Sequence, residues 1–398
     1  MRVVVGVGGG IAAYKACGLV RLFREAGHDV NVLPTESALR FVGAPTWAAL
    51  SGTEVSTSVW EGVADVPHVR LGQQAEVVVV APATANLMAR AAAGLADDLL
   101  TATLLTATCP IVLAPAMHTE MWENAATQAN VATLRGRGHI VVDPDSGRLT
   151  GTDTGPGRLP EVESLYSLAL AAAAGRGTDL AGLRVLISAG GTREEIDPVR
   201  YLGNRSSGRM GYALAAAAVA RGARVEVVSA NVTLPPPAGA ELTRVGSAAQ
   251  LADAVLGTAA DVVIMAAAVA DFRPAQRAAV KIKKGSAAEP SSIELVRNPD
   301  VLAELVAARS PGQTLVGFAA ETGDEQHSVL ELARTKLASK GCDILVLNDV
   351  SGGRTFGSRE NTVTILGGDP QDDSTVGPTS KEAVANAVLD RVVAVRAD

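Results

Sequence analysis

Short runs of Val, Ile and Leu recur along the chain, separated by longer Ala-rich stretches whose apolar positions return every three or four residues. The short runs read as buried strands and the longer stretches as helices covering them, the βαβ arrangement of a parallel sheet. Strands are predicted near 3–7, 29–33, 76–81, 111–114 and 139–142, and again near 184–188, 224–229, 261–266, 315–319 and 344–347. A helix predicted over 162–174 runs out into Gly175-Arg-Gly177-Thr-Asp179, a composition suited to a junction. At Leu183 the pattern restarts: LRVLIS drops into Ala-Gly-Gly-Thr, as Arg2 to Val7 drops into Gly8-Gly9-Gly10. Two α/β domains with Rossmann-like parallel sheets are therefore expected, at 1–178 and 179–398. Pro235 to Pro237 and 284–292 read as polar loops, and 350–361 is Gly/Ser-rich without periodicity. Residues 367–378 read as a hairpin or loose segment before a last helix from Lys381 to Val395.

Composition narrows the partners. Of 398 residues 47% are hydrophobic but only 3% aromatic, which suits helices packed closely on strands and argues against base-stacking platforms. Net charge is −7, with no basic block beyond Lys281-Ile-Lys283-Lys284, so nucleic acid is not an expected partner. Cys17, Cys109 and Cys342 lie far apart without metal-ligand spacing and read as small buried side chains in a reducing compartment. No apolar stretch reaches the roughly 18 residues that span a bilayer, and the first residues run straight into a strand. A soluble, cytoplasmic protein is the expectation.

In the first half, Gly8-Gly9-Gly10-Ile11-Ala-Ala13 fits G-x-G-x-x-A, with Tyr14 and Lys15 just inside the helix. Bare amides at a helix start bind phosphate, whether of a mononucleotide or a dinucleotide. An NAD site wants an acid closing the second strand; Glu36 could serve, while Thr35 and Ser37 suit a phosphate better. NAD-linked oxidoreduction therefore stays open on this turn alone. Val80-Ala-Pro82-Ala83-Thr84-Ala-Asn86 and Ala114-Pro-Ala-Met117-His118-Thr-Glu-Met-Trp122 each follow a buried strand, at the edge where open α/β sheets bind ligands. His68 stands at a predicted helix start, where a lone histidine is either structural or catalytic.

In the second half, Gly190-Gly191-Thr192 departs from the dinucleotide fingerprint. Ser206-Ser207-Gly208 opens an Ala-rich helix, either as a plain N-cap or as an anion site. A buried strand ends at Met265 and leads to Asp271; Lys281, Asn298-Pro299-Asp300, Phe318, Lys336 and Lys340 follow. An acid for metal or ribose with several lysines near strand ends suits a triphosphate.

Residues 1 to about 165 resemble the flavin-dependent cysteine decarboxylases, in particular phosphopantothenoylcysteine decarboxylases. The resemblance rests on the Gly8–Lys15 turn, His68, APATAN, Ala96-Asp-Asp-Leu-Leu-Thr101 and PAM-x-x-x-MW. It implies a flavodoxin-like fold and a catalytic His68. FMN would be held by Gly9, Gly10, Ile11, Thr35, Ser37, Pro82, Ala83, Thr84, Asn86 and Thr101, and substrate by Met117, His118 and Arg158. Residues 181–366 resemble the bacterial, CTP-using phosphopantothenate–cysteine ligases through SAGGTREEIDPVRYLGNRSSGRMG, AAAVADFRP, KIKK, NPD and VGFAAET. That resemblance implies a Rossmann-like ligase domain with a CTP site of Gly191, Met265, Ala266, Ala267, Asp271, Lys281, Asn298, Pro299, Asp300, Val301, Phe318, Lys336 and Lys340. Asn204 would assist formation of the acyl-cytidylate, Lys281 would act on that intermediate, and Mg2+ would sit at Asp271.

The two resemblances together imply a bifunctional enzyme of coenzyme A synthesis. The later half joins 4′-phosphopantothenate to cysteine with CTP, and the earlier half decarboxylates the product with FMN. They also imply homo-oligomers, trimeric through the decarboxylase and dimeric through the ligase, with a dodecamer as one outcome. Two departures stand out: His118 occupies the place of an Asn, and Gly151 that of a flap Cys, in Leu149-Thr-Gly151-Thr-Asp-Thr-Gly-Pro-Gly-Arg158. The alternative they raise is an active ligase whose decarboxylase half is impaired or regulatory.

Overall fold

The computed structural model describes residues 1–60, 66–149, 154–175, 177–282, 292–321, 327–349 and 360–397. It divides into two compact units. One comprises Met1–Thr178 with Val219–Arg221 and Pro237–Gly239, the other Asp179–Ala218, Gly222–Pro236 and Ala240–Asp398.

The first unit carries strands β1 (Arg2–Val7), β2 (Asp29–Pro34), β3 (Val77–Ala83), β4 (Ile111–Pro115) and β5 (Ile140–Val141) in one parallel sheet of order β2-β1-β3-β4-β5. Every residue of β3 is buried, as expected of a central parallel strand covered on both faces. The covering helices are α1 (Ala13–Glu25), α2 (Ala44–Ser51), α3 (Pro67–Gln74), α4 (Ala85–Ala93), α5 (Leu99–Thr106), α6 (Thr119–Glu123), α7 (Ala125–Gly136) and α8 (Val162–Ala173). Helix α1 buries Ala13, Ala16, Leu19, Val20 and Phe23, one stripe of helical period whose small members allow close approach to the sheet. A hairpin of β6 (Asp145–Arg148) and β7 (Thr154–Arg158) stands apart from the sheet. The strand order reverses direction between β1 and β3, which places the ligand crevice above their carboxyl ends.

The second unit is built on β8 (Arg184–Gly190), β11 (Arg224–Ala230), β12 (Ala240–Val245), β13 (Val262–Met265), β16 (Thr314–Glu321), β17 (Ile344–Asp349), β18 (Glu360–Leu366) and β19 (Ser374–Ser380). They form one sheet of order β12-β11-β8-β13-β16-β17-β18-β19. Strands up to β17 are parallel, whereas β18 runs antiparallel to both β17 and β19. The expected parallel sheet is thus extended by two antiparallel strands at one edge. The link 350–359 is too short for a crossover helix, so the strand following β17 returns in the opposite direction. Two small antiparallel pairs, β9 (Arg193–Glu195) with β10 (Tyr201–Gly203) and β14 (Phe272–Pro274) with β15 (Leu295–Arg297), lie outside the sheet. Helices α9 (Arg209–Ala220), α10 (Ala248–Leu256), α11 (Val301–Ala307), α12 (Val329–Lys340) and α13 (Lys381–Ala397) complete the unit. No described helix is long and apolar enough to cross a membrane.

Candidate functional site

The turn after β1 lies over the crevice of the first unit. Gly8 donates its amide to the carbonyl of Pro82 at 3.0 Å, tying the β1 and β3 loops together. A Cβ on Gly9 would stand 2.4 Å from Cβ of Ser37, so bare backbone is required where the β1 and β2 loops meet. Ile11 is 73% exposed at this turn, an apolar side chain open to a planar ligand or a neighbouring chain. Thr84 caps α4 by accepting from the Leu87 amide at 3.3 Å, and Asn86 is exposed on the following turn. Thr35 is buried and caps the next turn by accepting from the Ala38 amide, whereas Ser37 is exposed. Thr101 is also buried, and its hydroxyl is engaged by Asp98 at 2.8 Å and Arg90 at 3.2 Å. What Thr101 offers is therefore the position of that acid–arginine pair.

His68 is the second residue of α3. Val66, just before it, has a φ of 42°, rare for a β-branched residue, and this conformation sets the entry of the chain into Pro67 and His68. The His68 Nδ1 is buried without a partner among the described residues, as is the Lys15 Nζ one turn into α1. A buried polar atom left without a partner marks a place where a polar ligand completes the hydrogen bonding, and Lys15 stands just after the glycine turn. The residues present fit FMN: the buried Lys15 ammonium is available for its phosphate, and the exposed Ile11 side chain at the glycine turn for its ring system.

Met117 and His118 follow β4. Met117 donates its amide to the Gly157 carbonyl at 3.0 Å, and the Thr119 hydroxyl donates to the Pro156 carbonyl at 2.9 Å. The loop and the β6–β7 hairpin are thus tied together. Arg158 closes the hairpin and pairs with Glu161. Opposite Arg158 in the hairpin register is Asp145, whose carboxyl is pushed above the usual range by burial, against the lowering pull of Arg158 and Lys15. The sequence reading passed over Asp145, because an aspartate before Ser-Gly reads as turn chemistry. Gly151, with the missing thiol, lies outside the described residues.

In the second unit one cleft of about 1020 Å³ opens beside the carboxyl ends of the strands. It is lined by Asn204 and by every residue assigned above to the nucleotide except Gly191 and Lys281. Gly190 has a φ of +88° and would clash with the Ala230 carbonyl at 2.0 Å if it carried a Cβ, so Gly191 serves a tight strand-end turn beneath the cleft. Asn204 donates its amide to the Val269 carbonyl at 2.9 Å. Asn298 donates from Nδ2 to the Ala270 carbonyl and from its backbone to the Asp271 carbonyl, clamping that loop. Asp271 is exposed, and no described residue partners its carboxylate. Lys336 lies 3.0 Å from Glu321, and Lys340 pairs with Asp300, which caps α11.

Lys281 is exposed and placed from outside the cleft. Asp197, 1% exposed, accepts from the amides of Val199, Arg200 and Ile282 and from the Arg200 guanidinium, which also donates to the Ile282 carbonyl. The sequence reading missed this clasp, although EIDPVR is an Asx-turn pattern that could have signalled it. It also missed Arg209, Asn348, Asn361 and Lys381, which line the same cleft. The described residues hold no cluster of three His, Cys, Asp or Glu suited to a metal. Burial pushes the thiols of Cys17, Cys109 and Cys342 up, keeping them as inert thiols.

Residues 1–173 match the family described as Flavoprotein, and residues 180–395 the DNA/pantothenate metabolism flavoprotein C-terminal domain. The coenzyme A biosynthesis bifunctional protein CoaBC of Mycolicibacterium smegmatis is 58% identical over 404 residues, 99% of this chain and 97% of that protein. Its namesake in Vibrio vulnificus is 41% identical over 396 residues, 98% and 97% of the two chains. A solved C-terminal domain of a CoaBC protein is 37% identical, covering 55% of this chain and 97% of that one, with a TM-score of 0.46. The FMN-dependent cysteine decarboxylase SpaF is 36% identical, covering 44% and 97%, with a TM-score of 0.38.

Proposed function

The chain belongs to the family of coenzyme A biosynthesis bifunctional proteins CoaBC, and from that premise we propose which residues carry its two reactions. It is a bifunctional enzyme, a phosphopantothenate–cysteine ligase and an FMN-dependent phosphopantothenoylcysteine decarboxylase. The ligase reaction occupies the second unit and comes first. A carboxylate resists attack by an amine until its oxygen becomes part of a good leaving group. Esterification to a cytidylate provides that, with pyrophosphate departing, and the cysteine nitrogen then displaces CMP. Lys336 and Lys340 would neutralise charge on the departing pyrophosphate, and Asp271 would hold Mg2+, which would add to that neutralisation. Asn204 orients the reacting carboxylate, and Lys281 reaches the intermediate from the clasped segment.

The first unit then removes CO2. A cysteinyl carboxylate has no electron sink beta to it. FMN, when bound, would supply the redox chemistry that creates such a sink at the carbon bearing the thiol. Gly9, Gly10, Lys15 and Thr84 hold the cofactor. His68 moves a proton at the reacting centre, with Met117, His118 and Arg158 positioning the substrate. The oligomer contacts, trimeric through the first unit and dimeric through the second as the resemblance implies, would cover exposed apolar residues, Ile11 and Trp60 on one unit and Val199 and Leu202 on the other. A reducing cytoplasm suits the free thiols of both substrate and enzyme.

The observation that carries this reading is the gathering of eleven of the thirteen nucleotide-assigned residues in one cleft. Its test supplies phosphopantothenate, cysteine, CTP and Mg2+ and follows pyrophosphate and CO2. His68→Asn should abolish CO2 loss while sparing pyrophosphate release. Lys281→Gln should stop the coupled product from forming while decarboxylation of added phosphopantothenoylcysteine continues. Loss of both activities in either variant would overturn the division.

A further inference from the structure

The nucleotide end does not use the whole cleft. Besides the residues assigned to the nucleotide and the start of α9, its lining includes Asn348, Asn361, Val363 and Lys381. Asn348 pairs with Val363 across β17 and β18, and Asn361 lies two residues before Val363 on the same strand, so the three share one face of the sheet. Asn361 is 7% exposed. The Oδ1 atoms of both asparagines are shut away from solvent, and no described residue donates a hydrogen bond to either. Buried acceptors left without donors are uncommon in a finished protein and point to a group that arrives from outside.

Lys381 opens α13 at the same corner. It is half-buried, makes no ion pair among the described residues, and has its ammonium pKa lowered by burial, with Glu382 raising it and Arg209 lowering it further. The positive end of a 17-residue helix adds to that field. The corner thus presents two acceptors without donors beside a cation without an anion. A phosphate would satisfy the cation but set its oxygens against the amide oxygens. The start of α9, with Ser206, Ser207 and Arg209 on the same cleft, suits a phosphate better.

A group with N–H donors and a carboxylate on one carbon satisfies all three side chains at once. We propose that Asn348, Asn361 and Lys381 form the amino-acid subsite of the ligase, the asparagine oxygens accepting from the α-amino group and the lysine pairing with the α-carboxylate. The inference rests on the second unit acting as a ligase with cysteine as the amine. Arrival of the amino acid supplies the two missing donors, and placement of its nitrogen in the cleft that holds the activated acyl group brings nucleophile and electrophile together.

The test separates this subsite from the activation step. With full-length enzyme, Asn361→Leu and Lys381→Gln should each raise the KM for cysteine at least tenfold. The KM values for CTP and phosphopantothenate, and single-turnover pyrophosphate release without cysteine, should stay within twofold of the parent. Retained pyrophosphate release also shows that each variant is folded. Cysteamine, which lacks the carboxylate, serves as a second probe. The parent should favour cysteine strongly over cysteamine, and Lys381→Gln should lose most of that preference while Lys381→Arg keeps it. A rise in the KM for phosphopantothenate instead, or an unchanged preference in Lys381→Gln, would overturn the assignment. A parent enzyme that releases no pyrophosphate would instead sink the ligase reading itself.

Discussion

The Thr106 hydroxyl donates a 2.7 Å hydrogen bond to the backbone carbonyl of His68. This bond joins the last residue of α5 to the first turn of α3, and the two helices touch so closely there that a Cβ on Gly72 would lie 2.2 Å from Thr106 Oγ1. The position of His68 is therefore set by its backbone from one side and by the φ of Val66 from the other. Removing one such bond costs about 1 kcal/mol, too little to unfold the unit but enough to loosen the imidazole. Thr106→Val should lower the rate of CO2 release several-fold and leave pyrophosphate release unchanged, and Thr106→Ser should restore it. Equal losses in both activities would show general damage to the fold instead.

Gly157 is held against the Met117 carbonyl, where a Cβ would stand 2.1 Å from the oxygen. No side-chain rotation relieves a contact with backbone, so Gly157→Ala must push the hairpin off the loop that carries Met117 and His118. The expected outcome is loss of decarboxylation of at least tenfold, through a higher KM for phosphopantothenoylcysteine rather than loss of bound flavin. Flavin content measured on the purified variant, alongside steady-state kinetics, checks the distinction.

The strands of both sheets were legible because buried parallel strands are continuous apolar runs: β3 reads VVVVAPA and β13 VVIM, with every residue of each buried. The edge strand β12 was not, since its burial alternates and Glu241 and Arg244 break the apolar run. The paired β18 and β19 were only half legible, because 350–361 lacks period and Pro378 interrupts the last strand. Of the candidate site, the glycine turns and strand-end loops could be read because their residue types follow from local geometry. Asn348, Asn361 and Lys381 could not, because their grouping depends on an antiparallel return that no local pattern announces.

The Asp197 carboxyl is held well below the usual carboxylate range by the Arg200 guanidinium and three backbone amides, against the opposing effect of its burial. A depressed folded-state pKa contributes stability that is present above the unfolded value and lost only as pH falls through the folded one. The clasp that positions Ile282, and with it Lys281, should therefore survive mild acid that protonates ordinary aspartates. Hydrogen exchange should show the Ile282 amide equally protected at neutral pH and at pH values around 4, near the ordinary aspartate pKa. Asp197→Ala should abolish that protection and slow the ligase while leaving decarboxylation intact. Protection that fades in step with ordinary carboxylate titration would contradict the clasp.

Asp300 and Lys340 form an ion pair in the cleft of the second unit, at the end proposed for the nucleotide, with Lys336 nearby. Burial would raise the Asp300 carboxyl, but the Lys340 hydrogen bond, the Ala303 amide and the charges of Lys340 and Lys336 outweigh it and hold the pKa low. The stability this contributes is present above the ordinary aspartate pKa and fades as pH falls through the lowered one. Both partners are part-exposed, so the pair itself adds little to global stability. Its consequence lies in binding: Asp300 caps α11 and holds the Lys340 ammonium at the cleft wall before any phosphate arrives. On the proposed assignment a triphosphate must compete for that ammonium, and removing the lysine removes a cation that would neutralise the departing pyrophosphate. Lys340→Met should raise the KM for CTP by tenfold or more and slow pyrophosphate release. Asp300→Asn, which keeps a capping oxygen but not the charge, should tighten CTP binding modestly and steepen its dependence on salt. Measuring both KM values across ionic strength checks the pair, and weaker CTP binding by Asp300→Asn would show that the carboxylate serves the nucleotide directly.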